Sequence, residues 1–255
     1  MTGSDRSPCH GIWRVAPSPM LTEILARSGF EAQIFDCEHG AYDYGTLMAD
    51  VGACERGGGV PFVRVSGRDK IEVQRCLDLG ARGLLFPQLA SADEVRAAAL
   101  MMDYAPTGTR GFNPFVRAAG YGAPKDADRL RPPAWFVPII ETVTAVAEID
   151  QIVIHPRVDL VYIGVYDLSA QLGVPGDMGS PALARLIDLV IDACRAAGKP
   201  VGMMALSAES AAALIARGVQ VLVHGVEAHR LLQAGQAILE PLRSLSLGNE
   251  FVKPR

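Results

Sequence analysis

PFVRVSGRDKIEVQRCLDLGARGLLFPQ, residues 61–88, decides the fold. It opens on a short apolar run, PFVRVS (61–66), passes into a longer amphipathic stretch, DKIEVQRCLDLG (69–80), and returns to an apolar run, GLLFPQ (83–88). Short apolar runs of this length read as strands, and the longer patterned stretch reads as a helix stopped by Gly80. The unit is strand, helix, strand.

The same rhythm runs outward in both directions. Further strand candidates are GIWRV (11–15), AQIFDCE (32–38), FVPIIET (136–142), LVYIGVYD (160–167), PVGMMAL (200–206) and VQVLVHGV (219–226), which makes eight in all. MLTEILARSG, SADEVRAAALMMD, PALARLIDLVIDACRAAG and SAESAAALIARG are the clearest of the remaining helices. SADE and SAES each place a carboxylate three residues, or two, behind a capping serine, as helix starts do. Eight strand–helix units in 255 residues predict a single-domain α/β (β/α)8 TIM barrel. A doubly wound open sheet is the competing arrangement. No GxGxxG follows the first strand, so a dinucleotide site has no support. ERGGGVPF precedes a strand and reads as a turn. Residues 104–133 break the rhythm with many Gly and Pro. Placed after strand four, this long loop is expected over the C-terminal face, where function concentrates.

Composition narrows the partners. A net charge of −4 offers no basic surplus for nucleic acid. No apolar run reaches membrane-spanning length, and the first residues lack the apolar core of a signal peptide. Cys9, Cys37, Cys54, Cys76 and Cys194 are scattered, without CxxC spacing, and fit reduced thiols in the cytoplasm.

Chemistry is expected at the C-terminal strand ends. On strand five, Val137, Ile139 and Glu141 share a face by alternation. On strand six, Val161, Ile163, Val165 and Asp167 do the same. Each run is apolar until its last member, an acid, so Glu141 and Asp167 should converge at the mouth. Two close carboxylates share a proton, bind a cation or pair with separate bases. A hard divalent ion, Mg²⁺ or Mn²⁺, suits the pair, with the remaining positions left to water and substrate. The competing reading is that each acid caps the next helix. FDCEHG adds Asp36, Glu38 and His39 at the rim, and Arg64 in strand three calls for an anionic partner. Lys70, Lys125, Lys199 and Lys253 all miss the strand ends, so a Schiff-base mechanism has no lysine to use. His10 and His155 read as loop residues, His229 as part of the last helix, and His224 as part of strand eight.

FDCEHGAYD, VRVSGRDKIEVQRCLDLGARGLLFPQLASADE, IIETVTAVAEID and YIGVYDLSAQLGVPG together resemble the metal-dependent class II pyruvate aldolases of the HpcH/HpaI family. The resemblance implies a homohexamer of barrels that exchange their last helix in pairs. It implies a divalent metal (Mg²⁺, Mn²⁺ or Co²⁺) on Glu141 and Asp167, His39 as catalytic base and Asp36 as the acid that orients it. It implies Arg64 on the 2-oxoacid and its enolate, Arg117 as a substrate-binding residue of the long loop, and Asp78 lent by a neighbouring subunit. The reaction implied is cleavage of a 4-hydroxy-2-oxoacid to pyruvate and an aldehyde, or the reverse. Two positions depart from the family pattern: Ile139 replaces a glutamine, and Val165 replaces a proline, with Tyr166 following on the aldehyde side as a further substrate contact. These keep oxaloacetate decarboxylation, a thioester lyase and a non-catalytic 2-oxoacid-binding barrel as alternatives. The turns after strands seven and eight lack the glycine-rich cradle of a phosphate-handling barrel.

Overall fold

Each of the eight apolar runs forms a strand, and the strands close on themselves in chain order, β1 to β8, every neighbouring pair parallel. The computed structural model describes residues 7–123 and 134–243. The strands are β1 Cys9–Arg14, β2 Ala32–Asp36, β3 Val60–Arg64, β4 Gly83–Phe86, β5 Trp135–Ile140, β6 Val161–Ile163, β7 Val201–Met204 and β8 Val221–Val226. Around them run α1 Pro19–Arg27, α2 Tyr44–Arg56, α3 Lys70–Asp78, α4 Ala92–Leu100, α5 Val143–Ala147, α6 Ile149–Val153, α7 Val165–Gln171, α8 Pro181–Ala196, α9 Ala208–Arg217 and α10 Glu227–Leu239. The chain is a (β/α)8 barrel.

Alternation along the strands divides the core in two. Trp13, Ile34, Leu85, Val137, Ile139, Tyr162 and Val223 fill the barrel. Phe35, Phe86, Phe136, Ile140 and Ile163 point outward and meet the helices. The serine starts read from sequence hold: Ser91 accepts the Glu94 N–H and Ser207 the Ser210 N–H, each satisfying a donor the helix leaves open.

Three expectations need correction. Strand six stops at Ile163, and α7 begins at Val165, so Asp167 lies in a helical turn. In β6 the inward residue is Tyr162, with Leu160 just before the strand; Val161, Ile163 and Val165 belong to the outer layer. The apolar positions Val165, Leu168 and Leu172 carry a helical period that outweighs strand alternation. The long segment after residue 104 follows α4, not β4, so it leaves from the N-terminal face of the barrel. Its described part packs on the flank of α3: Arg110 donates to Asp78 at 2.7 Å and the Gly111 N–H to Gln74 at 3.2 Å. Residues 124–133 of that segment lie outside the described residues. Third, His10 sits on β1, its Nδ1 2.8 Å from His224 Nε2, so both histidines serve the β1–β8 seam.

Among the described helices α10 is poorly covered. In α10 only Glu227 is buried, while Leu231, Leu232, Ile238 and Leu239 are each more than half exposed. Among the described residues no helix is long and apolar enough to cross a membrane.

Candidate active site at the C-terminal mouth

Asp36 closes β2 with its side chain directed into the barrel mouth, 2 % exposed. Burying a lone carboxylate is costly, so its partners matter. Arg64, its register partner on β3, grips it with two hydrogen bonds, Nε to Oδ1 at 2.9 Å and Nη2 to Oδ2 at 2.5 Å. The N–H groups of Glu38 and His39 also donate to Asp36 Oδ1, at 3.0 and 3.1 Å, folding the turn back over the strand end. Gly40 permits that turn, since a Cβ there would stand 2.2 Å from the Asp36 carbonyl oxygen.

Arg64 therefore finds the anionic partner its strand position demands. Its Nη1 lies 2.9 Å from Glu38 Oε2, and its guanidinium stacks 4.7 Å above the Trp13 ring. Burial works to lower its pKa, but the Asp36 hydrogen bonds and the charges of Asp36, Glu38 and Glu141 outweigh it and hold the cation firmly. Below, Trp13 Nε1 donates to the Tyr162 hydroxyl at 3.0 Å, locking an aromatic floor.

Glu141 follows β5 directly and is 3 % exposed. Its Oε1 accepts the Gln88 N–H at 2.6 Å. Gln88 holds a left-handed backbone, φ 54°, to present that donor, and its side chain reaches Glu38 at 3.2 Å. Burial pushes the Glu141 carboxyl up to about 7, the Gln88 N–H opposes this, and the charges of Asp167 and Glu38 add to it. Asp167 stands in the first turn of α7, exposed, with no hydrogen-bond or ion-pair partner among the described residues. Neither acid caps a helix: Thr142 caps α5 through the Ala145 N–H, and Gly164 holds the cap position of α7. The two acids thus converge as expected, though Asp167 arrives by a helical turn.

These groups border one cavity of about 280 Å³, where His39, Arg64, Glu141, Tyr166 and Asp167 surround a floor of Trp13, Ile139 and Tyr162. The His39 ring is 69 % exposed, with Nε2 3.9 Å from Glu38 Oε2. Asp36 holds the His39 main chain, not the imidazole, because both its oxygens are taken by Arg64; Glu38 is the acid beside the ring.

Two sequence candidates lie elsewhere. Arg117 donates to the Leu79 carbonyl at 3.0 Å and pairs with Glu55, between the ends of α2 and α3. Asp78 ends α3 and pairs with Arg110. Neither borders the cavity of its own chain. Sequence reasoning passed over Trp13, Gln88, Tyr162 and Gly164. It also passed over Glu227, which accepts the N–H groups of Val15 and Ala16 at 2.9 and 2.8 Å and lies 3.5 Å from buried Arg14. That contact fixes the loop after β1 at the rim.

Among the described residues no three His, Cys, Asp or Glu side chains form a ready metal cage. Glu141 and Asp167 still suit a hard cation. They are oxygen donors, and they face Arg64 together with Asp36 and Glu38, so acids outnumber the arginine.

Residues 10–234 match the model of the HpcH/HpaI aldolase/citrate lyase family. The chain belongs to that family. A 2-dehydro-3,6-dideoxy-6-sulfogluconate aldolase of Pseudomonas putida is 32 % identical over 209 residues, 82 % of each chain. A pyruvate aldolase of Rhizobium etli is 31 % identical over 229 residues, 89 % of this chain and 90 % of that one. The crystal structure of an HpcH/HpaI aldolase/citrate lyase family protein from Burkholderia cenocepacia J2315 superposes with a TM-score of 0.89 at 29 % identity, covering 93 % and 95 % of the two chains. Like its HpcH/HpaI relatives, the chain is a lyase.

Proposed function

We propose that the chain is a divalent-metal-dependent pyruvate aldolase, cleaving or forming 4-hydroxy-2-oxoacids. The observation that carries this reading is the buried Glu141 carboxyl facing Asp167 at the mouth, with the Arg64 cation on the same cavity. Glu141 and Asp167 would hold the ion; bound there, it supplies a Lewis acid for the oxygens of the 2-oxoacid.

The chain's own residues do the rest. Asp36 and Glu38 fix the Arg64 fork, which binds the 2-oxoacid and stabilises the negative charge that develops on it as the carbon–carbon bond breaks. His39, exposed at the rim, takes the proton from the aldol hydroxyl as the aldehyde departs. The electron pair of the broken bond becomes the pyruvate enolate; a proton from solvent at its terminal carbon gives pyruvate, and His39 returns the hydroxyl proton to solvent. Trp13, Ile139 and Tyr162 keep the floor apolar and limit water beneath the reacting carbons.

The uncovered leucines of α10 favour exchange of this helix between subunits of an oligomer, hexameric by the resemblance. In such an assembly Asp78, which does not line its own cavity, would be the acid lent to a neighbour's site, as the resemblance implies. The free thiols accord with a cytoplasmic setting.

Deuterium exchange into the pyruvate methyl group tests the reading. The metal-stripped protein should be inert, and Mg²⁺, Mn²⁺ or Co²⁺ should restore exchange. Silence with every ion would leave a barrel that binds 2-oxoacids without turning them over.

A further inference from the structure

Beside the catalytic cavity lies a second one of about 280 Å³, and Val165, Tyr166 and Met204 line both. The second has Met203 and Leu214 at its base and Met178 and Leu206 at its rim. Met178, Leu206 and Tyr166 are 43 %, 48 % and 49 % exposed, so the groove opens to solvent next to the site's mouth.

Its serine and its arginine are already engaged. Ser210 donates to the Ser207 carbonyl at 2.9 Å and accepts the Ser207 N–H at 3.0 Å, closing the cap of α9. Arg217 is paired with Asp188 on the outer side of α8. Among the described residues no carboxylate, lysine or histidine lines the groove. Methionine side chains adapt to varied apolar shapes and give hydroxyl groups little to bond to.

Resting on the aldolase reading, we propose that this groove receives the carbon chain of the aldehyde, so that the favoured substrates are 4-hydroxy-2-oxoacids with a short hydrocarbon tail. The shared residues fix the direction. The 2-oxoacid lies by Arg64, Glu141 and Asp167, and the tail leaves past Tyr166 and Met204 into the groove. A hydroxylated tail would exchange water for methionine sulfurs and, beyond the Tyr166 hydroxyl at the mouth, lose its hydrogen bonds. A carboxylated tail would find Arg217, the cation among the described residues lining the groove, already paired with Asp188.

The test uses the metal-loaded full-length protein, pyruvate and a series of aldehydes: ethanal, butanal, hexanal, glyceraldehyde and succinic semialdehyde. Each added methylene should raise kcat/KM about fourfold while the groove fills, from the burial of one CH₂. Butanal should exceed glyceraldehyde by about tenfold or more. Leu206→Arg at the open rim should flatten the alkyl series and raise succinic semialdehyde against butanal, while pyruvate methyl exchange stays unchanged. Met178→Lys is the second variant, should Leu206→Arg fold poorly. A flat alkyl series, a preference for glyceraldehyde, or an alkyl series untouched by both rim variants, with exchange intact, would overturn the hydrocarbon tail alone. Loss of exchange in the wild type with every ion would overturn the aldolase reading beneath it.

Discussion

Gly164→Ala strikes the site through a single methyl group. Gly164 separates β6 from α7, and its φ of −88° is negative, so no left-handed strain confuses the result. The side chain has nowhere to go. A Cβ would stand 2.6 Å from Glu141 Cβ, 2.7 Å from Glu141 Oε2 and 3.0 Å from Ile139 Cγ2. Carbon atoms rest about 3.5–4.0 Å apart, so Glu141 must retreat by about 1 Å. Such overpacking costs about 1–3 kcal/mol, a fall in Tm of roughly 2–12 °C for a chain of this size. Displacement of a reacting-site group by about 1 Å costs about 10²-fold in rate. The variant should stay folded by circular dichroism, bind Mn²⁺ more weakly and lose about a hundredfold of pyruvate methyl exchange. Exchange within about twofold of wild type in a folded Gly164→Ala protein would refute the claim that the Glu141 position governs the site.

Other consequences follow from the same geometry. Because burial raises the Glu141 carboxyl from its usual 4.5 to about 7, the metal-free fold gains stability from this group below pH 4.5 and loses it as pH climbs towards 7. A cation bound there must displace that proton, so calorimetry in two buffers should show proton release below pH 7 and affinity falling up to tenfold per unit of acidification; Glu141→Gln should abolish both. Arg64→Met leaves Asp36 buried without its cation and should cost about 3–5 kcal/mol in urea unfolding, part of which Asp36→Asn should restore in the double variant. Leu232→Glu with Ile238→Glu, on the uncovered face of α10, should shift sedimentation to smaller species; an unchanged profile would separate this helix from assembly.

The barrel was legible because strand and helix periods alternate cleanly from GIWRV to VQVLVHGV, and each strand needs only its own apolar run. Glu141 was legible from alternation along β5, Asp36 from its place at the end of β2, and Arg64 from the charge it sets in an apolar strand. Asp167 was reached by the wrong route: VYIGVYD reads as one strand until Gly164 is seen to end it, and the period of Val165, Leu168 and Leu172 then takes over. The long segment was misplaced because it was counted from β4 instead of α4, which exchanges one barrel face for the other. Trp13, Tyr162 and Gln88 carried no signal of their own. Aromatic residues in a strand read as core, and the left-handed turn at Gln88 presents its N–H to Glu141, fifty-three positions later, a contact no local pattern records.

Anomalous diffraction from crystals soaked with Mn²⁺ and pyruvate puts the whole account at risk in one experiment. One manganese peak between the carboxylates of Glu141 and Asp167, with pyruvate against it and near Arg64, is the predicted result. A mouth without manganese, or manganese held by neither acid, contradicts it.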